Sequence, residues 1–192
     1  MVGVTYVDLW RPAIRRKALA YDISLVIGAS LLMALLAQIR FILPFSPVPI
    51  TGQTLGVLLI GTVLGSKRGA IAMGAYLLQG ISGLPVFAGG GFGLAYLLGP
   101  TGGYLLGFIP AAFVCGYLAE KGLDRHIVTT LLAMVVGTGI IFACGFAWLS
   151  AFVGPAQAVV MGVYPFILGG ALKIGIAGAL LPLAWKFVGG RK

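Results

Sequence analysis

Six apolar runs dominate this chain, at about 23–39, 53–65, 70–83, 101–119, 127–152 and 166–188. In a lipid environment such runs must be helical, because every backbone N–H and C=O has to find its partner within the segment. A full span takes about 20 residues. The second and third runs are short for that, and are expected to tilt or to continue as buried non-helical backbone. Only 9% of the residues are charged and 60% are hydrophobic, against about 25% charged in a soluble domain. Such a chain cannot cover a water-facing surface. The expected fold is an all-α integral membrane protein, a compact bundle of six transmembrane helices, with no large soluble domain. The predicted layout is an N-terminal segment over 1–22, a six-helix membrane domain over 23–188 and a tail over 189–192.

The N-terminal segment is not read as a cleavable signal peptide. Its basic cluster follows ten mixed residues, and no small-residue cleavage site follows the next apolar run. Trp10, Ile14 and Ala18 stand at helical spacing with Arg11, Arg15, Arg16 and Lys17 between them. That pattern predicts a short amphipathic helix lying on the membrane surface.

The basic residues then orient the bundle. With the N-terminus inside, Arg11, Arg15, Arg16, Lys17, Lys67, Arg68, Lys121, Arg125, Lys186, Arg191 and Lys192 are all inside. Only Arg40 falls on an outward connection, and Lys173 lies within a span. This asymmetry predicts that both termini are cytoplasmic. It also accounts for the net charge of +9 as topology signals facing anionic lipid. No basic face is interleaved with aromatics as nucleic-acid binding would require.

The inward connections are short and charged, whereas the three outward ones are irregular. The first is "PFSPVPITGQT" (44–54), whose prolines forbid helix and whose Thr51, Gln53 and Thr54 open the second run. The second, 83–104, is rich in glycine and carries Phe87, Phe92 and Tyr104. The third ends in "YPFILGG" (164–170), followed by Lys173. Irregular backbone at membrane depth is tolerated where it lines a cavity, so these connections predict a substrate cavity open to the outside.

Lys173 is the sharpest candidate, because an ammonium inside a span points to a functional partner, the rival reading being that it snorkels to the outer interface. The only acids are Asp8, Asp22, Glu120 and Asp124, all predicted at the inner end, so the partner expected is a ligand carboxylate. Gln53, Thr51 and Gln79 offer amide and hydroxyl groups to a neutral polar ligand head, the rival readings being an interhelical hydrogen bond for Gln79 and a helix cap for Thr51. Phe87, Tyr104 and Tyr164 can wall an apolar ligand body. Cys115 and Cys144 lie singly within apolar runs, and the one histidine, His126, sits at an inner loop. Neither metal-site nor Ser-His spacing results. No GxxxxGK[ST] loop occurs, and no buried acid stands ready for a coupling ion. The residues read as a capture device whose energy source lies elsewhere. A membrane enzyme or structural bundle would need, or leave unexplained, groups of another kind.

Four motifs carry a resemblance: "PVPITGQTLGVLLIG" (47–61), "GISGLPVFAGG" (80–90), "LGPTGGYLLGF" (98–108) and "YPFILGGALK" (164–173). With these the chain, from about 24 to 188, resembles the BioY family, the biotin-binding S components of energy-coupling factor (ECF) transporters. The resemblance implies an outward biotin site under loop lids in a bacterial cytoplasmic membrane. It implies a membrane coupling (T) subunit and two cytoplasmic ATPases as partners, and no cofactor, biotin being the cargo. The ligand-contact set it favours is Thr51, Gln53, Gln79, Phe87, Tyr104, Tyr164 and Lys173. Small residues on the first helix, Ser30, Ala34 and Ala37, are expected to meet the coupling subunit, the rival reading being packing within the chain. One departure stands out: the family commonly carries Asp three residues before this Lys, and here Gly170 occupies that place. The alternative function is capture of another vitamin, such as a flavin or thiamin, on the same fold.

Overall fold

The computed structural model describes residues 3–189; Arg191 and Lys192 of the predicted tail lie outside them. A short 3-10 turn, Tyr6–Trp10, precedes α1, Arg15–Gln38. The surface helix expected around residues 10–18 is not a separate piece: it forms the first turns of α1. No glycine or proline separates Arg15 from Asp22, so once Pro12 is passed nothing stops the helix from running into the apolar segment. At about 1.5 Å per residue, its 24 residues extend about 36 Å.

Prolines 44, 47 and 49 follow, and the chain makes a tight ribbon in place of a helix. β1 (Arg40–Phe41) pairs antiparallel with β2 (Ile50–Thr51), Arg40 opposite Thr51. α2 (Gln53–Leu64) and α3 (Ser66–Ile81) are joined by Gly65 alone. The turn is possible because Gly65 takes φ +87°, a conformation that costs a side-chain-bearing residue dearly. A Gly-rich loop with a short turn, α4 (Leu94–Leu97), leads to α5 (Gly102–Glu120) and α6 (Ile127–Val153). α7 (Pro155–Gly162) and α8 (Tyr164–Gly189) complete the described chain.

Helix thus occupies every one of the six apolar runs, and α7 is an addition. Four helices, α1, α5, α6 and α8, are long and apolar enough to cross a membrane; α2 is apolar but shorter. α5 is the central pillar. Its apolar stretch is 61% buried, against 17% for α1, whose Ile23, Ile27, Leu31 and Leu35 form an exposed stripe at four-residue spacing. α2 approaches α5 so closely that a Cβ on Gly61 would meet the backbone of Ala112. Such close backbone approach is how helices associate where lipid removes the hydrophobic drive.

The small-residue stripe of α1 packs within the chain. Ser30 and Ala37 are fully buried and Ala34 is half-buried. Ser30 accepts a hydrogen bond from Gln79 Nε2 of α3 at 3.0 Å. Small residues here let α1 sit close to its own neighbour, so the stripe is occupied within the chain.

The end where α1 begins is held by charge. Asp8 pairs with Arg68, whose Nε also lies 3.3 Å from Asp22, and Arg11 reaches Asp22 at 2.6 Å. Glu120 accepts from the backbone and hydroxyl of Ser66 at 2.8 and 2.9 Å, capping α3. Asp124 accepts from Trp185 Nε1 at 2.6 Å, and the Tyr6 ring lies 4.3 Å from Trp185.

Candidate binding cavity

At the opposite end, where α2, α5 and α8 begin, the irregular connections close over a cavity. It contains about 720 Å³ of empty space, its open mouth included. The ribbon supplies Val48 to Thr51, and α2 supplies Gln53, Thr54 and Leu58. Tyr96 and Ala88 come from the Gly-rich loop, and Thr101, Tyr104, Leu105 and Phe108 from the start of α5. Thr138 and Phe142 of α6 and Phe166, Gly169, Gly170 and Lys173 of α8 complete the wall.

The local sequence explains this convergence. The prolines prevent α1 from running on into α2, so Thr51 is held in a strand pair and Gln53 opens α2 beneath it. Ser46 ties the Pro-rich loop across to α7, donating to the Met161 carbonyl at 2.7 Å. Lys173 lies just over two turns into α8 and leans across to the ribbon. Its Nζ donates to the Thr51 carbonyl at 2.6 Å and to Thr54 Oγ1 at 2.7 Å. An ammonium has three donors, so one remains. Every Asp and Glu of the chain lies at the far end, so no carboxylate among the described residues neutralises Lys173. The mouth adds a second cation: an outer hollow bounded by Arg40 shares Pro49, Ala88, Tyr96 and Thr101 with the cavity.

Of the residues singled out from sequence, Thr51, Gln53, Tyr104 and Lys173 are brought together on this wall. Tyr104 contributes its ring, since its hydroxyl is engaged by the Gly162 carbonyl at 2.7 Å. The other three lie elsewhere. Phe87 is fully buried behind the wall, stacked on Tyr96 at 5.1 Å and edge-on to Tyr76 at 5.6 Å. Gln79 sits between α3 and α1, bonded to Ser30. Tyr164 is 62% exposed at the start of α8. Tyr96, Thr101, Thr138, Phe142 and Phe166 were not foreseen. Thr138, a buried hydroxyl in the middle of a strongly apolar helix, is the one whose polarity was a usable signal. At Gly170 a Cβ would meet Phe142 and Thr138 only at 3.8 and 3.9 Å, which is ordinary contact. The wall therefore has room for a Cβ where the family's Asp commonly stands. Among the described residues no cluster of His, Cys, Asp and Glu could hold a metal.

A lipid-embedded helical bundle with one polar-headed cavity under irregular loops defines a membrane solute-binding protein. The chain belongs to the BioY family, whose model matches residues 11–190. It is 42% identical over 146 residues to the biotin transporter BioY of Rhizobium etli, covering 72% of this chain and 78% of that one. It is 43% identical over 145 residues to the biotin transporter BioY of Thermotoga maritima, covering 75% and 84%. A solved structure, the S-component for biotin from an ECF-type ABC transporter, superposes with a TM-score of 0.80 at 25% identity, over 91% of this chain and 95% of that one.

Proposed function

We propose that this chain is the substrate-capture (S) subunit of an ECF-type transporter, taking up biotin. The observation that carries the reading is the Lys173 ammonium, set in the cavity wall with no acidic side chain of the chain to pair with it. Biotin supplies what that wall lacks: a carboxylate for a cation, a ureido ring for Gln53 and Thr51, and an apolar ring and tail for Tyr104 and its aromatic neighbours. The cavity opens to the outer face of a bacterial cytoplasmic membrane. Six helices cross it with both termini in the cytoplasm, as the bias of basic residues supports. A membrane coupling subunit and two ATPases provide the energy. The role is transport, with no reaction catalysed and no cofactor required.

The test is a binding titration of the purified protein against a panel of biotin, thiamin and riboflavin. Gly170 makes the panel necessary, because it replaces a carboxylate that the family commonly carries and so changes the chemistry beside Lys173. Tight, saturable binding of biotin alone is expected. Binding of another vitamin in its place would transfer the fold to that substrate.

A further inference from the structure

Behind the cavity wall runs a chain of hydrogen bonds in which one arrangement gives every acceptor its donor. Gln53 is 3% exposed and lines the cavity. Its side-chain amide lies 2.7 Å from the hydroxyl of Tyr76, which is fully buried and does not line the cavity. The Tyr76 hydroxyl also lies 3.1 Å from the Val86 carbonyl in the Gly-rich loop. A carbonyl only accepts, and a hydroxyl has one proton to give. That proton therefore goes to Val86, and toward Gln53 Tyr76 can only accept. The Gln53 NH2 must face Tyr76, and its Oε1 must face the other way. There Thr51 Oγ1 waits at 3.1 Å, itself accepting from the Gln53 backbone N–H at 3.3 Å, so its own proton is available for Oε1. The orientation of an amide is usually a matter of assignment; here only one orientation also gives the Val86 carbonyl a donor.

We infer that Tyr76 is a positioning residue for ligand recognition: anchored by the Val86 carbonyl, it pins the Gln53 amide in one orientation and so sets the donor–acceptor order of the cavity wall. The inference rests on the biotin reading for its ligand, though not for its geometry. After Tyr76 and Thr51, Gln53 keeps one N–H and one oxygen lone pair. With the amide pinned these are presented in a fixed order, and a ureido group, which also donates and accepts, fits in one register only. The same chain makes recognition sensitive to the loop. Val86 lies two residues before Ala88, part of the wall, so a loop displaced from the cavity withdraws the carbonyl that holds Tyr76. The Gln53 amide is then free to turn over. A closed loop and a correctly ordered wall go together.

The test uses Tyr76→Phe in the full chain, with two arms. In the first, dissociation constants are measured for biotin, for 2′-thiobiotin (a weakened ureido acceptor) and for N-methylbiotin (one ureido donor removed). The unmodified protein is expected to separate biotin from at least one analogue by about tenfold or more. Tyr76→Phe should bring that ratio to within about threefold while costing biotin itself less than about tenfold. Equal losses for all three ligands, or no discrimination by the unmodified protein, overturn the inference. The second arm needs no ligand. Glutamine-specific 15N labelling gives four side-chain amides, Gln38, Gln53, Gln79 and Gln157, and Gln53→Ala identifies the one sought. Its two protons should be widely separated and exchange slowly in the unmodified protein, and converge in Tyr76→Phe. Unchanged resonances overturn the inference. Should Tyr76→Phe not fold, contact between the Gln53 NH2 and the Tyr76 ring in the unmodified protein decides, and its absence overturns the inference. A pinned amide in a protein that ignores biotin would remove the ligand assignment and leave the positioning intact.

Discussion

The two ends of the bundle treat charge in opposite ways. At the end where α1 starts, acids meet partners: Asp8 and Asp22 hold Arg68 and Arg11, Glu120 caps α3, and Asp124 receives the Trp185 indole. At the cavity end stand Arg40 and Lys173 with no acid at all. A chain this poor in charge has spent its carboxylates on structure at one end and left cations open to a ligand at the other. The difference teaches that a charged side chain inside the bundle is informative when its counter-charge is missing, because leaving it unpaired costs stability that only a bound anion restores.

The largest expected effect comes from removing the open cation. Lys173→Ala should weaken biotin binding by roughly 10- to 100-fold, the range for a hydrogen bond to a charged group. A biotin amide, which lacks the carboxylate, should lose much less. Equal losses for the acid and the amide would reduce Lys173 to a strut between α8 and the ribbon, bonded to Thr51 and Thr54.

Next in size is a change that touches neither end. Ser30→Leu forces extra volume into the buried seam between α1 and α3 and takes away the partner of Gln79. Overpacking of this kind costs about 1–3 kcal/mol, to be read as a lower melting temperature in detergent. An unaffected melting temperature with failed assembly on a coupling subunit would instead turn that stripe outward.

How much was legible follows from the same physics. The helices could be placed because apolar runs and their Pro and Gly breaks are local signals, and Thr51, Gln53 and Lys173 stood out as polar groups beside those breaks. Which face of a helix points inward could not be read. In lipid both faces are apolar, so hydrophobic periodicity loses the contrast that orients a helix in water. That is why the stripe of Ser30, Ala34 and Ala37 can be read either as a docking face or as packing within the chain, and why Phe142 and Phe166 do not stand out. α7 is hidden for a different reason. Gly154 at φ +80° followed by Pro155 at the first helical turn is a stop and a start in adjacent residues, but the run before it masked both.

The paired end predicts a pH response with a definite sign. Burial works against the ionised form of Asp8, yet Arg68 and the Thr5 hydrogen bonds outweigh it and hold the carboxyl below its ordinary range. A carboxyl lowered on folding stabilises the protein fully above its unfolded value near 4 and loses that contribution as pH falls through the lower folded value. Asp8→Asn should therefore cost about 1 kcal/mol at neutral pH, since the pair is partly solvated and Arg68 keeps Asp22. It should also flatten the acid limb of a stability–pH curve while leaving biotin affinity unchanged. A shift in affinity would mean that the two ends are coupled.

The smallest effect is expected at Gly170, where it also says most about the cavity. An alanine there meets Phe142 and Thr138 at ordinary distances, so nothing has to move. Replacing glycine inside a helix favours folding by up to about 1 kcal/mol. Gly170→Ala should thus melt slightly higher than the unmodified protein, with biotin affinity within about threefold. That outcome places the ligand against Lys173, Thr51 and Gln53 and leaves the notch beside Thr138 unfilled. A tenfold loss of affinity at undiminished stability would put the ligand body in the notch. The missing family carboxylate would then be an enlargement of the site, and the contrast between the two ends would rest on space as well as charge.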